Sequence, residues 1–139
     1  MQQRCLGRLL VLPLAVIGCI TGAIAQDRGV AGTWVLQSID AKAPFAQRDL
    51  VLTLGGGSIS GLLGCNDFAG SYELSDERIY PKDLSTTTDQ VCASFVLMQE
   101  ERHYFELLAT VVRYEFTQDN GLVLVTRAGN EIRYRRASK

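Results

Sequence analysis

Hydrophobic and polar residues alternate along most of the chain from residue 32 onward, which is the pattern of β-strands that bury one face. A first strand is predicted over residues 32–39, where Trp34 and Leu36 share a face. Leucines at alternate positions predict a second strand over residues 50–54, which ends in a flexible glycine-rich turn. Three further strands are predicted over residues 59–63, 68–74 and 78–82.

The turn between the third and fourth predicted strands carries a cysteine. Residues 61–74 read GLLGCNDFAGSYEL, in which an Asn-Asp pair and glycines separate alternating apolar positions. This composition predicts a tight β-hairpin with the cysteine at its turn. The residues of interest in this block are Gly64, Cys65, Asn66, Asp67, Phe68, Gly70 and Tyr72.

The period of the pattern changes after Ser94, where apolar residues recur at spacings of three and four and predict an amphipathic helix. Ser94 is the predicted N-cap of this helix. Glu101 lies on the apolar stripe, so its carboxylate must be hydrogen-bonded or sit at the rim of the core. The stripe is interpreted as core packing, and its members are Leu97, Met98, Tyr104, Phe105, Leu108, Val111 and Val112.

Alternation returns after the helix, and turn signals at residues 119–121 and 128–130 separate the last short strands. The order is therefore about five strands, one helix and three strands. This order predicts an α+β fold in which one packed α-helix lies against a small, strongly curved antiparallel sheet of about eight strands. The sheet is expected to be barrel-like and partly open. Arg133 and Arg135 share a face of the last strand and are predicted to form a solvated surface that protects a sheet edge.

The N-terminal segment resembles an export signal. Arg4 and Arg8 supply positive charge, an apolar run follows, and Ala23-Ile24-Ala25 forms a cleavage site. Residues 1–25 are therefore predicted to be removed, which leaves 26–139 as a single domain that is periplasmic or secreted. Residues 16–19 also match a bacterial lipoprotein signal ending before Cys19, so a membrane-anchored lipoprotein lipidated at Cys19 is the alternative.

The chain has four cysteines, of which Cys5 and Cys19 leave with the signal under the first interpretation. Cys65 and Cys92 then remain as an even pair in an oxidising compartment, which favours a disulfide between them. The alternative is a pair of buried free thiols.

The remaining composition offers little catalytic chemistry. The formal net charge is −1, and no basic stripe with interleaved aromatic residues points to nucleic acid. The single histidine, His103, lies on the exposed side of the predicted helix, without the ligand set for a metal or a partner nucleophile. We expect no enzyme activity, metal or cofactor. The acidic residues considered for acid–base catalysis are scattered in sequence, and they are Asp67, Glu73, Asp83, Asp89 and Glu101.

An ordered set of these residues resembles the META/HslJ-like family of bacterial envelope proteins. The resemblance runs from Gly32-Thr33-Trp34 through the GCNDFAGSYEL block to the threonine-rich segment at 84–87 and then to Cys92. It continues in the helix and the final strands at Met98, Glu101, Phe105, Leu108, Leu122, Leu124 and Gly129.

This resemblance implies a compact α+β domain without enzymatic activity and with a loose link to envelope stress. It implies structural roles for the block and for Glu101. The expected partner is another envelope protein or a lipid-like ligand, and the domain is expected to be a monomer. The alternative is a lipocalin-like carrier or a secreted protease inhibitor, because such barrels also open a strand with a Gly-x-Trp sequence.

Overall fold

A computed structural model describes residues 29–44 and 49–138 of the chain. The predicted export signal and the alternative lipidation site at Cys19 lie outside these residues, so both remain predictions. In the described ranges, no helix combines the length and the apolar composition needed to cross a bilayer.

Eight strands and one helix form the domain in the predicted order. The elements are β1 Gly32–Ile39, β2 Val51–Gly55, β3 Ser58–Leu62, β4 Asp67–Ser75, β5 Arg78–Thr86, α1 Phe95–Ala109, β6 Val111–Phe116, β7 Leu122–Thr126 and β8 Glu131–Arg136. All adjacent strands pair antiparallel, in the spatial order β5-β4-β3-β2-β1-β8-β7-β6, which confirms the predicted α+β fold.

The sheet curves into a nearly closed barrel, because the two outermost strands β5 and β6 approach each other. At this seam the backbone N–H of Tyr114 donates to the carbonyl of Glu77 at 3.2 Å, and the Tyr114 hydroxyl donates to the carbonyl of Asp76 at 3.2 Å. Closure of this kind leaves little free strand edge.

The last strand is not an edge, contrary to the prediction for Arg133 and Arg135. Strand β8 pairs with β1 on one side and with β7 on the other. The pairing of β1 with β8 joins the two ends of the domain. The alternation of apolar and polar residues along the chain does not show which strands pair. The predicted solvated face is correct, since both arginines lie at the surface, with Arg133 paired to Glu131 at 2.6 Å and Arg135 paired to Asp49 at 3.5 Å.

Helix α1 begins and ends at identifiable caps. Ser94 is the N-cap, and its hydroxyl accepts a hydrogen bond from the backbone N–H of Leu97 at 3.2 Å. At the other end, Thr110 donates from both its N–H and its hydroxyl to the carbonyl of Leu107. The predicted continuation of the helical stripe to Val111 and Val112 was wrong, because these β-branched residues start β6.

The inside of the barrel is filled by large side chains. Trp34 and Tyr104 are fully buried, and the Trp34 indole N–H donates to the carbonyl of Val30 at 2.8 Å. Helix α1 contributes Tyr104, Leu107 and Leu108 to the same core cluster as the strands. The helix therefore closes the core with its C-terminal half.

The hydroxyl groups of Tyr104 and Tyr134 form a hydrogen bond at 2.9 Å in the core. Burial raises the pKa of both tyrosines well above the ordinary value. Unfolded tyrosines ionise near pH 10, so the unfolded state loses protons there while the folded state keeps them. The contribution of this pair is therefore fully present below about pH 10 and is lost above it, by up to about 1.4 kcal/mol per pH unit for each tyrosine.

Urea unfolding between pH 8 and pH 11 tests this expectation. The free energy of unfolding of the Tyr104→Phe/Tyr134→Phe variant should fall less steeply with pH than that of the unmodified protein. Equal slopes would show that other groups cause the alkaline loss, since the remaining tyrosines are common to both proteins.

Candidate functional site

The turn that joins β3 to β4 is fastened to the helix by one carboxylate. Oε2 of Glu101 accepts hydrogen bonds from the backbone N–H groups of Cys65 and Asn66, each at 2.9 Å. Oε1 of Glu101 accepts from the Asn66 side-chain amide at 2.8 Å. We refer to Cys65, Asn66 and Glu101 as the turn–helix clamp. The clamp therefore supplies the hydrogen-bond donors that the Glu101 carboxylate needs at its position on the apolar stripe of the helix.

Asn66 also holds the loop that precedes the helix. Its side chain is 8% exposed, and its Oδ1 accepts from the Gln90 backbone N–H at 2.7 Å and from the Thr88 hydroxyl at 3.0 Å. Its Nδ2 donates to the carbonyl of Gln90 at 3.1 Å. The Thr88 hydroxyl accepts in turn from the Asp67 N–H at 3.0 Å. Thr88 and Gln90, which follow the threonine-rich segment, thus form hydrogen bonds with polar groups of the turn.

A disulfide between Cys65 and Cys92 joins the same turn and loop covalently, with 5.7 Å between the Cα atoms. The Cys92 sulfur lies 4.0 Å from Oε2 of Glu101. Two sulfurs and a carboxylate oxygen therefore meet within 4.8 Å. Because the sulfurs are bonded to each other, they are not available as thiolate ligands for a metal ion.

The other residues of the GCNDF block pack around this clamp. Phe68 is buried and meets the ring of Phe105 edge-on, with 6.2 Å between centroids. A Cβ at Gly64 would lie 3.4 Å from Leu97 Cδ1, so the helix packs closely against the turn there. Tyr72 is buried in the core, and the side chain of Asp67 is exposed. These positions serve packing more than ligand contact.

Gly70 permits a bulge between β4 and β5. The register shifts there because Ala69 pairs with Ser85 and Ser71 pairs with Lys82. The bulged residue Asp83 has a φ of 52°, and strand β5 continues beyond the predicted end at residue 82. The structure thus places Gly70 opposite two residues of β5, where a side chain has no room.

A Gly70→Ala substitution is expected to lower the free energy of unfolding by about 2 kcal/mol through overpacking. The added Cβ would lie 2.7 Å from the Lys82 carbonyl oxygen and 3.1 Å from the Leu84 Cα, both backbone atoms. Gly55→Ala is the matched control, because nothing lies within 4 Å of its Cβ position. Chemical denaturation of both variants measures the difference. Equal stabilities would contradict the steric argument.

Four apolar side chains at or just before the N-terminal end of helix α1 are exposed. Val91 is 94% exposed, Phe95 72%, Val96 55% and Met98 39%. We call these four residues the apolar patch. Met98 was predicted to lie in the core, and its exposure corrects that prediction. The sequence signal for this patch was the apolar pair Phe95 and Val96, which lie outside the predicted stripe, whereas Met98 lies on it.

A groove of about 370 Å³ lies beside the patch, between helix α1 and the end of β1. Val96 belongs to both the patch and the groove, whereas Met98 lines a separate cavity of about 290 Å³ with Cys92, Glu101 and Phe105. The groove is also lined by charged and polar side chains, and its other residues are Ile39, Asp40, Lys42, Ala43, Pro44, Gln99, Glu100 and His103.

The structure brings two of the acidic residues that were considered for catalysis, Asp89 and Glu101, to one cavity of about 290 Å³. Glu101 is engaged in the clamp, and Glu73 pairs with Lys82 at 2.6 Å. The side chains of the other candidates, Asp67, Asp83 and Asp89, are exposed. His103 is exposed at the groove, as the sequence predicted.

Comparison with solved structures supports this fold. A protein from Burkholderia xenovorans, solved by NMR, aligns with a TM-score of 0.65 and 24% identity over 78% of this chain and 83% of that one. A second NMR structure aligns with a TM-score of 0.60 and 25% identity over 76% and 88% of the two chains.

A crystal structure of a DUF4847 family protein from Bacteroides vulgatus aligns with a TM-score of 0.57 and 13% identity over 81% of this chain and 98% of that one. No curated protein matches the chain. The family model of the META domain matches residues 28–139, which include every described strand, the helix and the clamp. The chain therefore belongs to the META domain family.

Proposed function

We propose that this META domain is an exported, non-catalytic binding module that takes an apolar segment of an envelope protein or a lipid-like ligand. The observation that carries the proposal is the apolar patch, in which Phe95 and Val91 are both more than two-thirds exposed. Apolar side chains that are exposed together at one place on a domain often mark an interaction site. The groove that Val96 also lines adjoins the patch.

The clamp explains how a small domain can hold such a surface in place. The disulfide and the bonds of Asn66 fix residues 88–92, and the Ser94 cap fixes the first turn of the helix. Val91 and Phe95 therefore stand on a rigid support, which lowers the entropic cost of binding. In this proposal the GCNDF block supports the binding surface and takes no part in chemistry.

The filled barrel favours binding at the surface over binding inside. Trp34, Tyr104 and Tyr134 are each no more than 1% exposed and occupy the core that a lipocalin-like carrier would leave open for its ligand. The carrier and protease-inhibitor alternatives have no comparable observation in their favour. A role in the envelope stress response is part of the proposal through the family resemblance alone.

Photo-crosslinking in the native host tests the proposal. A photoreactive residue at position 91 should give a specific product, which mass spectrometry identifies as protein or lipid. The Phe95→Ser substitution in the same protein should reduce that product at least several-fold. A photoreactive residue at position 116 is the control, because Phe116 is 45% exposed and lies on β6. Equal products from positions 91 and 116, or no effect of Phe95→Ser, would contradict the proposal.

Export is tested separately by the mass of the protein purified from its own envelope. If the signal is cleaved after Ala25, the measured mass should be that of a chain beginning at Gln26. The protein should then be found in the periplasmic or secreted fraction. A diacylglyceryl mass on Cys19 would establish the membrane-anchored alternative. A full-length, unmodified chain in the cytoplasmic fraction would contradict export.

A further inference from the structure

Three arginines from separate parts of the chain line a hollow at the surface where β5 and β6 meet. Arg78 begins β5, Arg113 lies in β6, and Arg127 follows β7 in the turn to β8. The hollow has a volume of about 370 Å³, and Val112 and Val125 contribute to its wall. It lies on different elements from the apolar patch and the clamp.

The charges in this hollow are only partly compensated. Arg113 forms an ion pair with Glu115 at 3.0 Å, and both side chains are about half exposed. Within residues 29–44 and 49–138, neither Arg78 nor Arg127 has a carboxylate at ion-pair distance. Arg78 instead donates to the Tyr80 hydroxyl at 3.4 Å. Like charges that share a hollow repel one another, so an anion placed among them would be attracted.

We propose that this hollow binds a phosphate group, carried either by a soluble molecule or by a lipid headgroup. Guanidinium groups match phosphate oxygens in paired hydrogen bonds, and three of them can approach one phosphate from three sides. A carboxylate has only two oxygens and fits this arrangement less well. Nothing lies within 4 Å of the Cβ position of Gly129, so a ligand can come close to the turn that carries Arg127.

Isothermal titration at low ionic strength tests the site with inorganic phosphate. The Arg127→Gln and Arg78→Gln variants should each bind phosphate roughly tenfold more weakly, as expected for a lost charge-assisted hydrogen bond. Arg135→Gln is the matched control, because it removes the same charge and a surface ion pair with Asp49 from the far end of β8. Binding to the control should be unchanged.

A gain of affinity provides the sharper test. Glu115→Gln removes the carboxylate that pairs with Arg113 and should strengthen phosphate binding several-fold. Asp49→Asn makes the same charge change at the Arg135 pair and should have no effect. Both substitutions affect exposed side chains, so neither is expected to disturb folding.

Vesicles distinguish the source of the phosphate. Stronger binding to phosphatidic acid vesicles than to phosphatidylcholine vesicles, with loss in Arg127→Gln, would identify a lipid headgroup. Binding of free phosphate without preference between vesicles would identify a soluble ligand. The proposal is overturned if neither phosphate source binds, or if Arg127→Gln and Arg135→Gln weaken binding equally. Equal binding to both vesicle types that Arg127→Gln leaves unchanged, without binding of free phosphate, would also overturn it.

Discussion

Replacing Glu101 by alanine is expected to lower the free energy of unfolding by about 3 kcal/mol, because three hydrogen bonds to a charged acceptor are lost together. The backbone N–H groups of Cys65 and Asn66 and the Asn66 side-chain amide would all lose this acceptor. Urea unfolding followed by circular dichroism measures the change. The expected loss is large for one helix position on the surface of a small domain.

Two further variants separate the clamp from the general effect of removing charge. Glu101→Gln keeps one carbonyl oxygen and should lose less stability than Glu101→Ala. Glu106→Ala changes an exposed glutamate on the same helix, so its effect should stay within about 0.5 kcal/mol. A Glu101→Ala protein as stable as Glu106→Ala would show that the clamp contributes nothing.

Removal of the Cys65–Cys92 disulfide is expected to lower the free energy of unfolding by about 3 to 4 kcal/mol, from the entropy that the crosslink removes from the unfolded chain. The bond links residues separated by 27 positions, a span that makes the entropic term substantial. The Cys65→Ala/Cys92→Ala variant, unfolded in urea beside the oxidised protein, measures the difference.

A reductant supplies the control for this prediction. Dithiothreitol should bring the unmodified protein close to the double variant in stability and should leave the double variant unchanged. A difference below about 1 kcal/mol between oxidised protein and double variant would mean that the noncovalent clamp alone holds the turn. If dithiothreitol lowered the stability of both proteins equally, its effect would not come from reduction of this disulfide.

The fold was predictable because the local patterns and the tertiary structure agree. Period-two alternation located the strands, and the change to a period of three and four located α1 with Ser94 as its cap. The errors fall where local pattern and tertiary contact differ. Val111 and Val112 fit the helical period, yet they begin a strand beside β7. The pairing of β8 with β1 depends on contacts between the two ends of the domain.

The clamp was predictable in part. The position of Glu101 on an apolar stripe required a hydrogen-bonding partner, but the partners come from a turn about 35 residues earlier in the chain. The arginine hollow could not be predicted, because β5, β6 and the β7–β8 turn meet only when the barrel closes. The apolar patch was not predicted, because Met98 was interpreted as a core residue. The helical spacing of apolar residues does not show which turns of the helix contact the barrel and which lie beyond it.

The central claim is that the GCNDF block and Glu101 form a structural clamp rather than a reactive site. Amide hydrogen exchange of Cys65 and Asn66, followed by NMR, tests it most directly. Both amides donate to Glu101, so they should exchange only through opening of the domain and should lose most of this protection in Glu101→Ala, which leaves no acceptor at this position. Rapid exchange of both amides in the native protein, unchanged by Glu101→Ala, would contradict the claim and leave the carboxylate free for chemistry.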